Sequence, residues 1–263
     1  MATHNDSVWK LVLAYDGTDF YGWQVQPGLV TVQGELRDAL ARVTGEEVLP
    51  QGAGRTDAGV HALGQVATFS LAAPIPEANL ARALNRTLPA SIRVLSAARV
   101  ENAFHARHSA QAKTYEYRIF RGEVCPPWQA RYVYAFPAPL DVEAMQRAAA
   151  RVCGEHDFLS FAASDPERWE RDGHATAGDS VRCVHASQWL EEPAAQLLTY
   201  RVKGNGFLHH MVRNLAGTFL EVGRGNVRET EIPAILEARS RERAGPTAPA
   251  RGLWLVQVDY LED

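Results

Sequence analysis

Gly54-Arg55-Thr56-Asp57-Ala58-Gly59-Val60-His61-Ala62 is a glycine-flanked loop that carries a single carboxylate. It leads into residues 64–70, where β-branched and aromatic residues alternate with small or polar ones and so predict a strand. Gly54 and Gly59 permit a positive φ or the close approach of another backbone. The loop can therefore hold Asp57 in a fixed pose at the entrance of a strand.

Arg55 stands two residues before the carboxylate and can orient it, or keep it ionised by charge pairing. An isolated Asp-x-Gly is more typical of a polar hairpin turn than of a reactive site. The choice between a turn and a site therefore depends on the whole nonapeptide and on the motifs that accompany it.

The composition limits the class of protein. The chain has 263 residues, 46% of them hydrophobic, which is enough for one large domain or two small ones with a real core. No run approaches the ~18 consecutive apolar residues of a membrane span, and residues 1–10 lack the apolar centre of a signal peptide. We therefore expect a cytoplasmic protein with no membrane association. Cys125, Cys153 and Cys183 lie far apart, which favours reduced thiols over a disulfide framework or a zinc site.

The distribution of charge says more about partners than its sum. A net charge of −4 argues weakly against nucleic acid, because nucleic-acid-binding proteins usually carry a basic balance. One part of the chain is nevertheless basic and could present a face to RNA, although solvated surface charge is an equal alternative. We call it the basic cluster: Arg82, Arg86, Arg93, Arg99, Arg107, Lys113, Arg118 and Arg121.

The first half predicts a β-α-β-α-β pattern, which wraps helices against one face of a sheet. Residues 8–15 predict a strand that ends at the turn signal Asp16-Gly17. The aromatic residues that follow, within positions 15–24, are typical of core packing, with the wall of an active-site cleft as the functional alternative. The remaining elements are helices at residues 31–45 and 76–88 and a strand at residues 92–100.

The second half predicts a looser copy of the first. Residues 113–121 alternate strictly, which places Tyr115, Tyr117 and Ile119 on one face of a strand. Residues 164–179 are rich in charged residues and glycine and have no period, which predicts a mobile loop. The other predicted elements are strands at residues 181–191, 197–204 and 253–260, and helices at residues 142–153, 208–221 and 232–239. Two such halves predict an α+β fold with residues 1–107 and 108–263 as its two lobes.

Motifs along nearly the whole chain resemble those of the tRNA pseudouridine synthase A family, in the order that the family has them. Each motif is weak alone, and their combination is specific. The matching segments are Tyr15-Asp16-Gly17-Thr18, Gly22-Trp23-Gln24, the nonapeptide from Gly54 to Ala62, Phe104-His105-Ala106-Arg107, Lys113-Thr114-Tyr115-Glu116-Tyr117-Arg118, His156-Asp157-Phe158, the segment from Gly204 to Asn214, and the segment from Thr247 to Leu253.

The resemblance implies the pseudouridine synthase fold, in which two similar α/β lobes have antiparallel sheets joined across a central cleft. It also implies a homodimer that isomerises uridine to pseudouridine in the anticodon arm, at tRNA positions 38, 39 and 40. Neither a cofactor nor a metal is implied. The chain departs from the family at residues 164–179, where a longer charged segment leaves loop contacts to RNA undefined.

Individual roles follow from the same resemblance. Asp57 would be the nucleophile, Arg213 its partner across the cleft, and Tyr115 the platform on which the flipped base stacks. The residues alone leave alternatives open, because Tyr117 shares the face of Tyr115 and because Arg213, off the apolar stripe of its helix, could simply face solvent. Arg55 would contact the substrate, and the RNA backbone candidates are Arg82, Arg86, Arg107 and Lys113.

Two other classes of function compete with this interpretation. Asp57 and His61, together with His105 and His108, could be ligands in a metal-dependent hydrolase, although no second carboxylate stands at ligand spacing. A non-catalytic RNA-binding protein could use the same surface, and only the retained Asp57 argues against it.

Overall fold

The computed structural model describes residues 7–163 and 180–261. The predicted loop at residues 164–179 lies outside them. The chain divides into two compact units, the first comprising Met1–Gln111 with Trp254–Asp263, and the second comprising Ala112–Leu253. The two units are described separately. Both combine a sheet with helices, as predicted for an α+β fold.

The first unit is built on a sheet whose strands follow the order β4-β1-β3-β10. β1 lies between β3 and β4 and pairs antiparallel with both. β10 pairs with β3 in parallel, with Trp254 opposite His61 and Leu255 opposite Ala62. The strands are β1 (Ser7–Tyr15), β2 (Gln51–Gly52), β3 (His61–Leu71), β4 (Ile92–Val100) and β10 (Leu253–Tyr260), with β2 paired to β3.

Two amphipathic helices complete this unit, α1 (Val32–Thr44) and α2 (Glu77–Thr87). α1 begins and ends where local signals predict. The Thr31 side chain accepts a hydrogen bond from the Gly34 amide, and Gly45 ends the helix in the left-handed conformation at φ 77°. Each helix buries one face, α1 through Leu36 and Leu40 and α2 through Leu80 and Leu84.

The second unit has a sheet with the strand order β5-β9-β8-β7, and all the pairs in this path are antiparallel. A short sixth strand pairs with β5 in parallel. The strands are β5 (Ala110–Phe120), β6 (Tyr134–Ala135), β7 (Gly154–Asp157), β8 (Val181–Glu192) and β9 (Leu197–Gly204). The helices are α3 (Pro127–Ala130), α4 (Val142–Ala150), α5 (Met211–Gly223) and α6 (Ile232–Ala238).

α5 is the core helix of the second unit, with eleven of its residues buried. Its Phe219 packs edge-on against Tyr200 of β9 and Trp189 of β8. The helix begins at Met211 and not at the predicted position 208, because His210 has φ 60°, a conformation that interrupts a right-handed helix. Among the described residues, no helix is long and apolar enough to cross a membrane.

The last strand departs from the predicted lobes. The sequence predicts one lobe over residues 108–263, yet Trp254–Asp263 group with the first unit. The cause is the parallel pairing of β10 with β3, a contact between segments far apart in the chain that no local pattern encodes.

Candidate functional site

The Asp57 loop, residues 54–60, forms a tight turn immediately before β3. The Val60 amide donates to the Asp57 carbonyl at 3.1 Å, and Gly59, the third residue of this turn, has φ 77°. Glycine is the residue that such a position favours, because a side chain would strain a positive φ. The turn presents a partly exposed Asp57 between buried Thr56 and exposed Ala58. Arg55 is also exposed.

The last residue of β1 and the segment that follows it are hydrogen-bonded to this loop. The Tyr15 hydroxyl lies 2.8 Å from Oγ1 of Thr56, and both residues are buried. The Trp23 amide donates to the Thr56 carbonyl at 3.0 Å, and the Gly59 amide donates to the Phe20 carbonyl at 3.3 Å. The residues on both sides of Asp57 are therefore tied to residues 15–23, which limits the positions that the carboxylate can take.

Gly22 allows the two segments to approach closely. A Cβ atom at this position would lie 2.6 Å from the Thr56 carbonyl oxygen and 3.2 Å from the Asp57 carbonyl carbon. Gly22 also has φ 87°. The motif Gly22-Trp23-Gln24 thus needs glycine for two independent reasons, space and backbone conformation.

Gln65 is hydrogen-bonded to the first residue of the loop. Its Nε2 donates to the Gly54 carbonyl at 2.8 Å and lies 3.4 Å from the Tyr15 hydroxyl. Among the described residues, Gly54 is not one of the glycines with a positive φ, so its role differs from that of Gly59. Burial raises the pKa of Tyr15 to about 12, so the hydroxyl keeps its proton throughout the physiological range.

The histidines that could suggest a hydrolase have other roles. His61 is fully buried, its Nδ1 accepts a hydrogen bond from the Gly17 amide at 3.0 Å, and its ring stacks on Trp254 at 4.4 Å. Nδ1 of His105 accepts from the Arg107 amide, and its ring lies 4.4 Å from that of His108.

Tyr115 and Tyr117, which share a face of β5, differ in their surroundings. Tyr117 is fully buried, its hydroxyl donates to the Pro249 carbonyl at 2.8 Å, and a Cβ at Gly252 would lie 2.8 Å from its ring. Tyr115 is buried as well, at 7% exposed, and meets the ring of Phe207 edge-on at 5.1 Å. Tyr117 has a core contact for its hydroxyl, and the stacking role of Tyr115 stays a prediction.

Arg213 lies on α5 and is partly buried. Its Nε donates to the Ala248 carbonyl at 2.8 Å, and the Ala248 amide returns a hydrogen bond to the Arg213 carbonyl at 3.1 Å. The loop that contains Ala248 thus orients the guanidinium.

Sequence reasoning missed the polar network that holds this loop. Asn214 is fully buried, and its Oδ1 accepts hydrogen bonds from Thr247 at 2.7 Å and Arg241 at 3.1 Å. Its Nδ2 donates to the Phe161 carbonyl at 2.7 Å. An amide next to the apolar stripe of this helix was the signal, because a buried polar group needs partners.

The basic cluster is not uniform. Arg99 bonds the Ile75 carbonyl and lies over the ring of Trp9, while Arg118 pairs with the buried Glu116. Arg93 and Arg121 also donate to backbone carbonyls. The four RNA backbone candidates differ in exposure. Arg82 and Arg86 are exposed one turn apart on α2, Arg107 is exposed before β5, and Lys113 is partly buried on β5.

Comparison with known proteins places the chain in context. A family model described as tRNA pseudouridine synthase matches residues 11–109 and 148–261. The tRNA pseudouridine synthase A of Solibacter usitatus (strain Ellin6076) is 51% identical over 95% of this chain and 98% of the relative. The proteins of the same name from Moorella thermoacetica and Brevibacillus brevis are 48% and 46% identical, each over 95% of this chain and 98% of the relative.

Proposed function

This chain belongs to the tRNA pseudouridine synthase A family, and we propose that it isomerises uridine to pseudouridine at tRNA positions 38, 39 and 40, with Asp57 as the nucleophile. The family and the names of the relatives make it an isomerase that acts on tRNA. The assignment of the anticodon arm and of Asp57 is our proposal. It rests above all on one observation, a partly exposed carboxylate on a turn whose two flanks are hydrogen-bonded to residues 15–23.

The reaction explains why a single carboxylate is sufficient. The bond between N1 and C1′ breaks, the ring turns, and a bond between C5 and C1′ forms, while C5 loses a proton and N1 gains one. The formula of the nucleoside does not change, so the balance requires no oxidant and no water. An ionised carboxylate can attack C1′ or C6, and a covalent intermediate then divides one difficult step into two easier ones. It can also act first as a base that removes a proton from the sugar.

Binding roles in this proposal follow the surroundings of each residue. Arg55, exposed beside Asp57, contacts the substrate, and Tyr115 supports the flipped base, since a base outside the helical stack needs an apolar surface. Arg213 acts at the reacting nucleotide, oriented by Ala248. The RNA backbone contacts are Arg82, Arg86, Arg107 and Lys113.

We further propose a homodimer located in the cytoplasm, where its tRNA substrate is found. Both statements extend what the family resemblance implies. Sedimentation of the purified protein tests the first, with a mass of about twice 29.0 kDa expected for a dimer.

The decisive experiment uses unmodified tRNA labelled with tritium at C5 of uridine. Isomerisation at C5 must release one tritium for each pseudouridine formed, and carbodiimide mapping then locates the products along the anticodon arm. We expect release by the wild-type protein, products at positions 38 to 40, and no release by Asp57→Asn. A non-catalytic RNA-binding protein would bind the tRNA without any release, and products elsewhere in the tRNA would refute the positional assignment.

A further inference from the structure

An apolar strip lies exposed beside the Asp57 loop. Tyr21, Val30 and Leu29 are 55%, 52% and 40% exposed, and the Tyr21 amide donates to the Val30 carbonyl at 2.9 Å. Single exposed apolar residues are normal on protein surfaces. Three of them on one short hairpin form a patch, and such patches commonly mark interaction sites. We call these three residues the exposed strip.

Tyr21 is held beside the nucleophile by both of its chain neighbours. The Phe20 carbonyl accepts a hydrogen bond from the Gly59 amide, two residues after Asp57. On the other side, the backbone of Gly22 packs directly against that of Thr56 and Asp57. The backbone of Tyr21 therefore cannot move independently of the Asp57 loop, and its side chain extends from a backbone position that is fixed relative to that loop.

The other aromatic residues of this segment account for its core packing. Tyr15, Phe20 and Trp23 are all buried. Tyr21 is the exception, so the packing of the first unit does not explain why an aromatic residue stands there.

The chemistry of the strip selects the kind of ligand. No charged residue occurs between Phe20 and Thr31, so the strip offers no cation for a phosphate. An aromatic ring with aliphatic neighbours instead suits the flat face of a nucleobase. When a target base leaves its stack, the base next to it loses one stacking partner, and an aromatic side chain can replace it.

We propose that the Tyr21 ring stacks on the nucleobase adjacent to the target uridine, with Val30 and Leu29 as the apolar edge of the contact. This inference rests on the proposed function, because it takes Asp57 as the reacting centre. Stacking accepts any base, so Tyr21 positions the RNA at the Asp57 loop without reading its sequence.

The test uses an anticodon stem-loop RNA with 2-aminopurine next to the target uridine. Binding is measured in the Asp57→Asn background, so that no substrate is consumed. The variants are Tyr21→Phe, which keeps the ring, Tyr21→Leu, which keeps apolar bulk, and Tyr21→Ala. Leu95→Ala is the control, because Leu95 is 58% exposed but lies on β4, separated from β3 by β1.

We expect Tyr21→Ala to weaken RNA binding about tenfold and to abolish the quenching of 2-aminopurine that stacking produces. Tyr21→Phe and Leu95→Ala should behave as the unsubstituted background, and Tyr21→Leu should lose quenching with an unchanged melting temperature. Unchanged affinity and quenching in Tyr21→Ala, or equal losses in Tyr21→Phe, would overturn the proposal. Tritium release by the wild-type protein tests the proposed function separately, since quenching requires no conversion.

Discussion

The hydroxyl of Tyr15 lies 2.8 Å from Oγ1 of Thr56, so the end of the first strand is hydrogen-bonded to the residue that precedes the proposed nucleophile. Both side chains are buried, which protects this contact from competition with water. Trp23 bonds the backbone of the same threonine. Through these two bonds of Thr56, the position of the Asp57 carboxylate depends on that of β1.

Tyr15→Phe removes this contact without creating a cavity. We expect the free energy of unfolding to fall by about 1 kcal/mol or more, because the buried hydrogen bond to Thr56 is lost together with the longer contact of Gln65 with the same hydroxyl. We also expect kcat to fall while KM changes little, since the loop loses a positioning contact. Tyr200→Phe is a matched control, because Tyr200 makes a similar buried bond to Ser187 at 2.9 Å in the second unit. Denaturant titration and single-turnover tritium release measure both effects, and equal kcat values for the two variants would contradict the positioning role.

Gly22→Ala should be far more damaging than Gly28→Ala. Both glycines have positive φ, at 87° and 73°, but a Cβ at Gly28 meets nothing within 4 Å, whereas one at Gly22 meets the Thr56 carbonyl. Backbone strain alone should lower the free energy of unfolding of Gly28→Ala by about 1–2 kcal/mol. Because of the added clash, Gly22→Ala should lower the free energy of unfolding by more than about 3 kcal/mol and remove most of the activity. Thermal unfolding would refute the close approach if it gave equal losses for the two variants.

Asp57→Asn should abolish pseudouridine formation and leave tRNA binding nearly unchanged. The amide keeps the shape of the carboxylate but not its nucleophilic charge, so the loss falls on the chemical step. We expect tritium release to fall more than about a thousandfold, with an unchanged or slightly tighter Kd, since RNA is itself anionic. Filter binding measures the affinity, and tritium release measures the chemical step. Release at a measurable fraction of the wild-type rate would exclude Asp57 as the nucleophile.

Tyr115→Ala should weaken the free energy of RNA binding by roughly 1–3 kcal/mol, whereas Tyr115→Phe should keep most of the stacking. Tyr117→Phe separates this effect from packing, because Tyr117 is a core residue that bonds Pro249. That variant should lose stability without losing affinity for the stem-loop RNA. Equal affinity for Tyr115→Ala and wild type would remove Tyr115 from the site.

Binding of tRNA should weaken with salt, because contacts to phosphates release counterions. Arg82→Glu and Arg86→Glu should each lower the slope of log Kd against log salt by about one, if α2 faces the RNA. Arg42→Glu serves as the control, since Arg42 is exposed in the last turn of α1 and is not part of the basic cluster. If all three variants share the wild-type slope, Arg82 and Arg86 carry ordinary solvated surface charge.

The sequence alone determined most of the helices and strands, because the signals for them are local. Thr31 and Gly45 bound α1 as predicted, since a cap is a hydrogen bond or a backbone conformation within one turn of the helix. Alternation of side chains located β1, β3 and β5 for the same reason. The start of α5 was missed, because the positive φ of His210 is rare for a residue with a side chain and no local pattern signals it.

The motifs also identified the family and placed Asp57 on a turn, because Gly59 supplies the positive φ that the turn requires. Only the tertiary structure decided which aromatic residues of the first motif are buried and which one, Tyr21, is exposed. It also gave Tyr117 and Tyr115 different partners, the Pro249 carbonyl and the Phe207 ring, and joined β10 to β3. These outcomes depend on contacts such as that of Tyr15 with Thr56, which are 41 positions apart. Such contacts form only when the whole unit packs, so no periodic pattern in the sequence predicts them.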